Sequence, residues 1–182
     1  MAAGLPKSNF ATHAEGARPL VGVCQMTSTA EKEENFAQCH ALIKKAKARG
    51  VQMLFFPEAC DYIAESKLRS VEMAERLDGD IMTRFRKVAE ENRLWLSVGG
   101  FHQKGPASDP GRVYNTHVII DDQGRIRATY NKTHLFDLDL EKRVRLHESD
   151  YTVPGERIVP PVATPVGNVA LSTVSLACSS LH

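Results

Sequence analysis

Three charged side chains stand where the ends of strands would present them to a ligand. Glu58 follows the apolar run Leu54 to Phe56, and Lys132 comes just past the predicted strand Arg125 to Tyr130. Glu148 lies farther along, in a segment with little periodicity. Open α/β sheets bind ligands at the carboxyl ends of their strands, so these groups are candidates for acid–base chemistry. Taken singly, each is also compatible with an ordinary charged residue on the surface.

The segments that must position these residues alternate between strand and helix in the first half of the chain. Short apolar runs bounded by turn residues predict buried strands, and apolar residues at helical spacing predict helices between them. Together with the hairpins that follow, this order is typical of an α/β domain with a mixed sheet. The predicted strands are Leu20–Met26, Val51–Phe56 and Leu94–Phe101, and the predicted helices are Ala30–Arg49 and a segment around Ile81–Val88.

The second half of the chain predicts hairpins. Val113 to Ile120 and Arg125 to Tyr130 flank a turn that contains Gly124, which is the pattern of a β-hairpin. Asn131 to Pro161 shows little periodicity and is predicted to be a long loop, a kind of segment that is usually functional in compact domains. A final hairpin is predicted from Val162 to Ala177.

The bulk composition is that of a globular protein. Hydrophobic residues make up 42% of the chain and charged residues 25%, and the formal net charge is +1. This charge supplies no basic field for phosphates, so no nucleic-acid partner is expected. No apolar run approaches the roughly 18 residues of a membrane span, so no membrane partner is expected either.

The cysteines and histidines do not form a metal site. Cys24, Cys39, Cys60 and Cys178 contain no C-x-x-C pair, and the histidines do not lie at ligand spacing. No metal and no cofactor is therefore predicted, and reduced thiols favour a cytoplasmic protein. Residues 1–18 are small and polar without an apolar core, which predicts a disordered leader; a mitochondrial presequence is the alternative.

Three blocks of the sequence together resemble the nitrilase superfamily of carbon–nitrogen hydrolases. They are Phe56-Pro57-Glu58, Tyr130 to Asp137, and His147-Glu148-Ser149 followed by Pro154-Gly155, in this order and at similar separations. The resemblance runs from Pro19 to Leu171, and the block around Lys132 is its most specific part. It implies an α-β-β-α sandwich and, for a full-length form, a homo-oligomer in which two sandwiches stack.

The resemblance also implies a Glu–Lys–Cys mechanism that hydrolyses a small non-peptide amide. Glu58 matches the family's general base, and Lys132 matches the lysine that stabilises the oxyanion. Glu148 matches a second acid, which positions the lysine and the substrate. These groups suit the reaction, because a thiol with a pKa of about 8.5 needs a base or a neighbouring positive charge to attack at neutral pH.

The family pattern breaks where its nucleophilic cysteine is expected. That cysteine follows a Thr-Pro-x-Gly turn, here Thr164 to Gly167, and reading on without a gap places Val174 at its position. Cys178 lies about 13 Å farther along an extended strand, too far to replace it in the same register. The chain is therefore predicted to be inactive. Residues 19–177 would be a partial hydrolase domain without its C-terminal part, and residues 178–182 an aberrant tail.

Two further segments indicate a subgroup. Val23 to Thr29 and Leu94 to His102 resemble the subgroup that hydrolyses deaminated glutathione, while a related ω-amidase subgroup shares the triad blocks. The alternative function is non-catalytic: a truncated isoform that only binds a partner, such as a full-length copy, or is degraded. Val174 and the unmatched sequence after it motivate that alternative.

Overall fold

The structure, a computed structural model, describes residues 18–140 and 144–173. Most of the leader, as well as Val174 and Cys178, lies outside the described residues. Within this part of the chain, no helix is long and apolar enough to cross a membrane. The elements are β1 (Val21–Val23), α1 (Lys32–Ala48), β2 (Met53–Phe56), α2 (Lys67–Met73), α3 (Asp80–Asn92), β3 (Trp95–Lys104), β4 (Val113–Ile120), β5 (Ile126–Asn131), β6 (Asp137–Leu140), β7 (Val144–His147), a 3-10 helix (Glu148–Asp150), β8 (Val162–Thr164) and β9 (Gly167–Val169).

A five-stranded mixed sheet in the order β1-β2-β3-β4-β5 forms the centre of the molecule. β1, β2 and β3 are parallel, and helical connections return the chain between them. β4 is antiparallel to β3, and β5 is antiparallel to β4. Parallel neighbours need such crossovers, whereas antiparallel ones can be joined by hairpins, so the sequence order dictates this topology. The mixed α/β sheet confirms the predicted fold class.

Helices α1 and α3 cover one face of the sheet. Their apolar residues recur at helical spacing, so each helix buries one stripe against the strands. The ring of Phe85 on α3 meets Phe36 of α1 edge-on at 5.2 Å between centroids and Phe56 of β2 at 5.9 Å. Full burial of one such side chain stabilises the fold by about 1.5–3 kcal/mol. This packing anchors the carboxyl end of β2, from which the chain continues to Glu58.

The hairpin of β8 and β9 packs on the opposite face of the sheet. Met53, Ile119, Tyr130 and Leu171 are buried there, with side chains of the hairpin against them. His117 ties the segment after β9 to the sheet, because its Nδ1 donates to the Ser172 carbonyl at 2.9 Å. Its Nε2 lies 2.7 Å from the Ser97 hydroxyl. Burial lowers the pKa of His117, so this link uses the neutral ring.

The sequence predictions fail mainly in the segment between Asn131 and Pro161. The predicted long loop is wrong there, because the structure places β6, β7 and a 3-10 helix in it. Helix α2 was not predicted; its N-cap is Ser66, whose hydroxyl accepts a hydrogen bond from the Arg69 amide. The second strand of the final hairpin is Gly167–Val169, earlier than predicted. Both short hairpins depend on cross-strand partners, which periodicity within one segment does not reveal.

Candidate active site

The directions of the strands bring four chain segments to one edge of the sheet. The parallel strands β2 and β3 end at the edge where the antiparallel strand β4 begins and where β5 ends. Glu58 follows β2, His102 lies near the end of β3, Asn115 near the start of β4, and Lys132 directly after β5. The 3-10 helix brings Glu148 to the same edge. All three sequence-predicted site residues are therefore brought together.

Lys132 lies between the two predicted glutamates. Its Nζ is 3.2 Å from Glu58 Oε1 and 2.9 Å from Glu148 Oε2. The side chains of Lys132 and Glu148 are 4% and 10% exposed, whereas that of Glu58 is 39% exposed. The Lys132 backbone is also fixed, since its amide donates to the Asn115 carbonyl and its carbonyl accepts from the Gly155 amide. Of the two carboxylates, Glu58 is thus the one that a ligand can reach.

Like Lys132, Asn115 contacts both Glu58 and Glu148. The sequence analysis did not identify Asn115 as a site residue. Its Nδ2 donates to Glu58 Oε1 and, at 3.2 Å, to Glu148 Oε1. Its Oδ1 is buried and has no hydrogen-bond partner among residues 18–140 and 144–173. The polar run Asn115-Thr116-His117 inside strand β4 was the available signal. Since Nδ2 can only donate, both carboxylate oxygens that it contacts act as hydrogen-bond acceptors.

Replacing Asn115 tests this bridge. We expect Asn115→Leu to lower the free energy of unfolding by about 2 kcal/mol, because two carboxylates lose a donor. Loss of the unpartnered Oδ1 offsets part of that effect. Asn115→Asp adds a third carboxylate beside Glu58 and Glu148. Its free energy of unfolding should therefore fall further below that of Asn115→Leu as the pH rises above about 4 and the new carboxyl ionises. Urea denaturation between pH 4 and 8 measures both variants, and parallel pH profiles for the two would contradict the prediction.

Gly100 allows the loop that carries Glu58 to approach β3. The register of β3 shifts between Val98 and Phe101, and within this irregularity Gly100 adopts a φ of +78°. Its carbonyl accepts a hydrogen bond from the Ala59 amide at 3.0 Å. A Cβ on Gly100 would lie 2.6 Å from Glu58 Cγ and 3.0 Å from Asn115 Oδ1. Both the positive φ and the close approach require glycine at this position.

A cavity of about 630 Å³ opens at this edge of the sheet. Its size falls within the roughly 300–1,000 Å³ of small-molecule sites. Glu58, Lys132 and Glu148 lie in its wall, so the charged cluster faces a space in which a small ligand fits. The remaining wall residues come from the loop after β2, from α2, and from the segments on either side of Lys132 and Glu148: Ala59, Ile63, Ala64, Glu65, Ser66, Lys67, Ser70, His102, Asn115, Phe136, Arg145, Leu146, His147, Tyr151 and Thr152.

His102 and Asp61 form a second polar pair at the cavity wall. His102 Nδ1 lies 2.9 Å from Asp61 Oδ1, and the His102 amide donates to Asp61 Oδ2 at 2.8 Å. Burial disfavours the charged ring, but the Asp61 carboxylate, with smaller effects from Glu58 and Glu148, outweighs burial and raises the pKa of His102. The sequence analysis missed this pair. Its signal was the preceding Gly99-Gly100, a pattern that marks a bulge or a close backbone approach.

The cysteines of the described part of the chain lie away from the cavity. Cys24, Cys39 and Cys60 are buried in the core, and none of them is in the cavity wall. Burial raises the pKa of Cys24 to about 11. A sulfur contact with Cys39, together with burial, raises that of Cys60. A nucleophilic thiol needs the opposite shift, so Cys24 and Cys60 are not suited to that role, and Cys39 is fully buried outside the cavity wall.

The charged cluster can move a proton and bind a developing negative charge. The half-exposed Glu58 can accept a proton from a nucleophile, and the buried Lys132 ammonium can stabilise an oxyanion beside it. No group of three or more metal-ligating side chains occurs within residues 18–140 and 144–173. The catalytic roles of Glu58, Lys132 and Glu148 stay predictions.

Comparison with known proteins identifies the family. The family model described as carbon-nitrogen hydrolase matches residues 20–177. The chain belongs to the carbon–nitrogen hydrolase family. Among curated relatives of this family member, the rat deaminated glutathione amidase is 42% identical over 155 residues, which cover 85% of this chain and 47% of the rat protein. The NitFhit fusion protein of Caenorhabditis elegans is 42% identical over 155 residues, covering 85% of this chain and 35% of that protein.

Solved structures show the same fold. The crystal structure of C. elegans NitFhit matches this chain with a TM-score of 0.78 at 42% identity, over 84% of this chain and 37% of that one. Saccharomyces cerevisiae Nit3, a member of the nitrilase superfamily, matches with a TM-score of 0.63 at 20% identity, over 80% and 51% of the two chains. These matches confirm the predicted superfamily and fold. The chain spans about half the length, or less, of the curated relatives described above.

Proposed function

We propose that the cavity binds a small non-peptide amide and that Glu58, Lys132 and Glu148 supply the acid, base and electrostatic groups for its hydrolysis. The observation that carries this proposal is the position of Lys132 Nζ, 3.2 Å from Glu58 and 2.9 Å from Glu148 at the wall of the cavity. An ammonium held between two carboxylates, one of them accessible, is suited to stabilise the negative charge that develops when a nucleophile attacks a carbonyl group.

The proposed reaction is a Glu–Lys–Cys hydrolysis. Glu58 takes the proton of a cysteine thiol while the sulfur attacks the amide carbonyl, and the Lys132 ammonium stabilises the tetrahedral oxyanion. The proton then passes to the leaving amine, and the C–N bond breaks to give a thioester. Water, deprotonated by Glu58, hydrolyses the thioester and releases the acid. Glu148 keeps the Lys132 side chain in place throughout.

The names of curated relatives support deaminated glutathione as the proposed substrate. Curated relatives about 42% identical to this chain carry the name deaminated glutathione amidase. The same proposal includes assembly of the full-length form into a homo-oligomer, because the family resemblance implies one.

This chain itself is proposed to bind the amide without hydrolysing it. Val174 stands where the family pattern has its cysteine, and the described cysteines are buried away from the cavity. Purified chain incubated with deaminated glutathione should therefore release no 2-oxoglutarate or cysteinylglycine above the blank, as measured by mass spectrometry. Val174→Cys alone should not restore turnover.

The fourth cysteine provides the decisive control. If the unaltered chain hydrolyses deaminated glutathione and Cys178→Ala abolishes that activity, Cys178 is the nucleophile and the proposed inactivity is wrong. Binding is followed separately by NMR titration, in which a Lys132→Met variant should lose the amide. A chain that neither binds nor hydrolyses the amide would favour the non-catalytic alternative.

A further inference from the structure

Two hydrogen bonds of the His117 ring join β3, β4 and the segment after β9. The Ser97 hydroxyl lies 2.7 Å from His117 Nε2, and Nδ1 lies 2.9 Å from the Ser172 carbonyl oxygen. A carbonyl oxygen can only accept, so in the neutral ring Nδ1 carries the proton and Nε2 accepts from Ser97. Ser97 and His117 are 1% and 9% exposed. Both ring nitrogens are therefore used inside the protein.

The surroundings of His117 favour this neutral ring. Burial lowers the pKa of His117, and the Ser172 carbonyl opposes that effect only in part. Tyr130 lies opposite His117 on β5, while Ser97 and Ser172 approach it from β3 and from the segment after β9. No charged side chain within residues 18–140 and 144–173 contributes to the shift. A buried imidazolium without a counter-charge is unfavourable, so the contact with Ser172 belongs to the uncharged form.

The contact lies on the face of β4 that leads to the candidate active site. Alternate residues of a strand point to the same face, so Asn115, His117 and Ile119 share one face of β4. Leu171 is buried in the same apolar cluster as Ile119, and Ser172 contacts His117. From Leu171 to Ser172 the chain thus advances along β4 in the direction of Asn115, which contacts both site glutamates.

We propose that His117 is a positioning residue of the site: by holding the Ser172 carbonyl, it directs the segment after β9 so that position 174 meets Asn115. This inference rests on the proposed function, in which position 174 is the place of the family's nucleophile. Position 174 follows Ser172 by two residues, which span at most about 7 Å. Asn115 and His117 are also two residues apart along β4, a separation of about 7 Å. A segment anchored at Ser172 that continues in the same direction therefore reaches Asn115.

Methyl NMR tests the anchor at neutral pH. In the unaltered chain with labelled valine, we expect nuclear Overhauser contacts between the Val174 methyl groups and the side-chain amide of Asn115. His117→Phe fills the same space but cannot donate to Ser172, so these contacts should be lost. The amides of β9 should also exchange about tenfold faster, because a buried carbonyl loses its donor. His117→Asn should retain both properties, since its side-chain amide can still donate to Ser172.

The variant His117→Phe distinguishes positioning from space filling. If the ring only filled space, phenylalanine would replace it without loss of the Val174 contacts. That result would overturn the inference.

The response to pH is a second test, which holds even if His117→Phe does not fold. Because the native pKa of His117 is lowered, the anchor is complete above about pH 6.5 and weakens as the pH falls below that value. Protection of the β9 amides should then fall by up to about tenfold per pH unit in the unaltered chain. His117→Asn should show no such fall, whereas His40→Gln, on α1, should show it in full. An equal fall in His117→Asn would assign the response to another group and overturn the inference.

Two outcomes separate this inference from the proposed function. If the unaltered chain binds the amide but its Val174 methyl groups make no contact with Asn115, the inference is wrong and the proposed binding stands. If the chain does not bind the amide in the NMR titration, the proposed function fails, and the inference falls with it.

Discussion

Lys132→Met should lower the free energy of unfolding by about 3 kcal/mol at pH 7 and abolish binding of the amide. Removal of one partner from a buried ion pair costs roughly 3–5 kcal/mol, because the remaining charge stays buried without compensation. The lower end of that range applies here, since the Glu58 side chain is 39% exposed. Glu148, at 10% exposed, accounts for most of the loss. Urea denaturation followed by circular dichroism measures the stability, and NMR titration measures the binding.

Two comparisons separate this effect from a general sensitivity to lost lysines. Lys44→Met removes an exposed lysine from α1 and should change the stability by less than about 0.5 kcal/mol. The double variant Lys132→Met with Glu148→Gln should recover part of the stability, because the uncompensated carboxylate is neutralised, but should not recover binding. If the double variant is less stable than Lys132→Met alone, the uncompensated Glu148 carboxylate is not the cause of the loss.

Gly100→Ala should disrupt the site more than its size suggests, with a loss of about 2–4 kcal/mol in unfolding free energy. A φ of +78° costs an alanine about 1–2 kcal/mol. The new Cβ would also lie 2.6 Å from Glu58 Cγ, so the Glu58 side chain must move. That movement breaks the 3.2 Å contact with Lys132 Nζ. We therefore expect weaker amide binding together with the lower stability.

The chain offers a control for each component of this effect. Gly50 has a φ of +72° with no atom within 4 Å of a built Cβ, so Gly50→Ala measures the backbone strain alone. Gly111 has neither a positive φ nor a close neighbour, so Gly111→Ala should be neutral. Gly50→Ala should lower the free energy of unfolding by about 1 kcal/mol and should bind the amide as tightly as the unaltered chain does. Equal losses in Gly50→Ala and Gly100→Ala would show that the contact with Glu58 contributes nothing.

The predictable part of the fold lies in the segments whose periodicity is strong. The apolar run that ends at Phe56 and the helical spacing of Phe36, Cys39 and Ile43 predict β2 and α1, because burial of one face imposes these patterns. β6 and β7 were missed because a two-stranded hairpin with little burial imposes no such pattern. Helix α2, at seven residues, is too short for periodicity to be distinctive.

The predictable part of the site is limited in the same way. Glu58 and Lys132 could be found because each follows a predicted strand, and Glu148 because of its surrounding motif. Asn115 and His102 lie inside strands, and they reach the site through the pairing of β3 with β4. That register depends on the irregularity between Val98 and Phe101, where Gly99-Gly100 indicates a bulge but does not specify which residues pair across the strands.

The contact between Glu58 and Lys132 joins positions 74 residues apart in the chain. Such a contact forms only after most of the sheet has assembled, since β3, β4 and β5 must pair before Lys132 is in position. Unfolded chains therefore carry no partial version of the site, and a bound amide stabilises the native state alone. At a concentration one hundred times its dissociation constant, such a ligand would raise the unfolding free energy by about 2.7 kcal/mol. A shift in melting temperature can thus report occupancy even when no product forms.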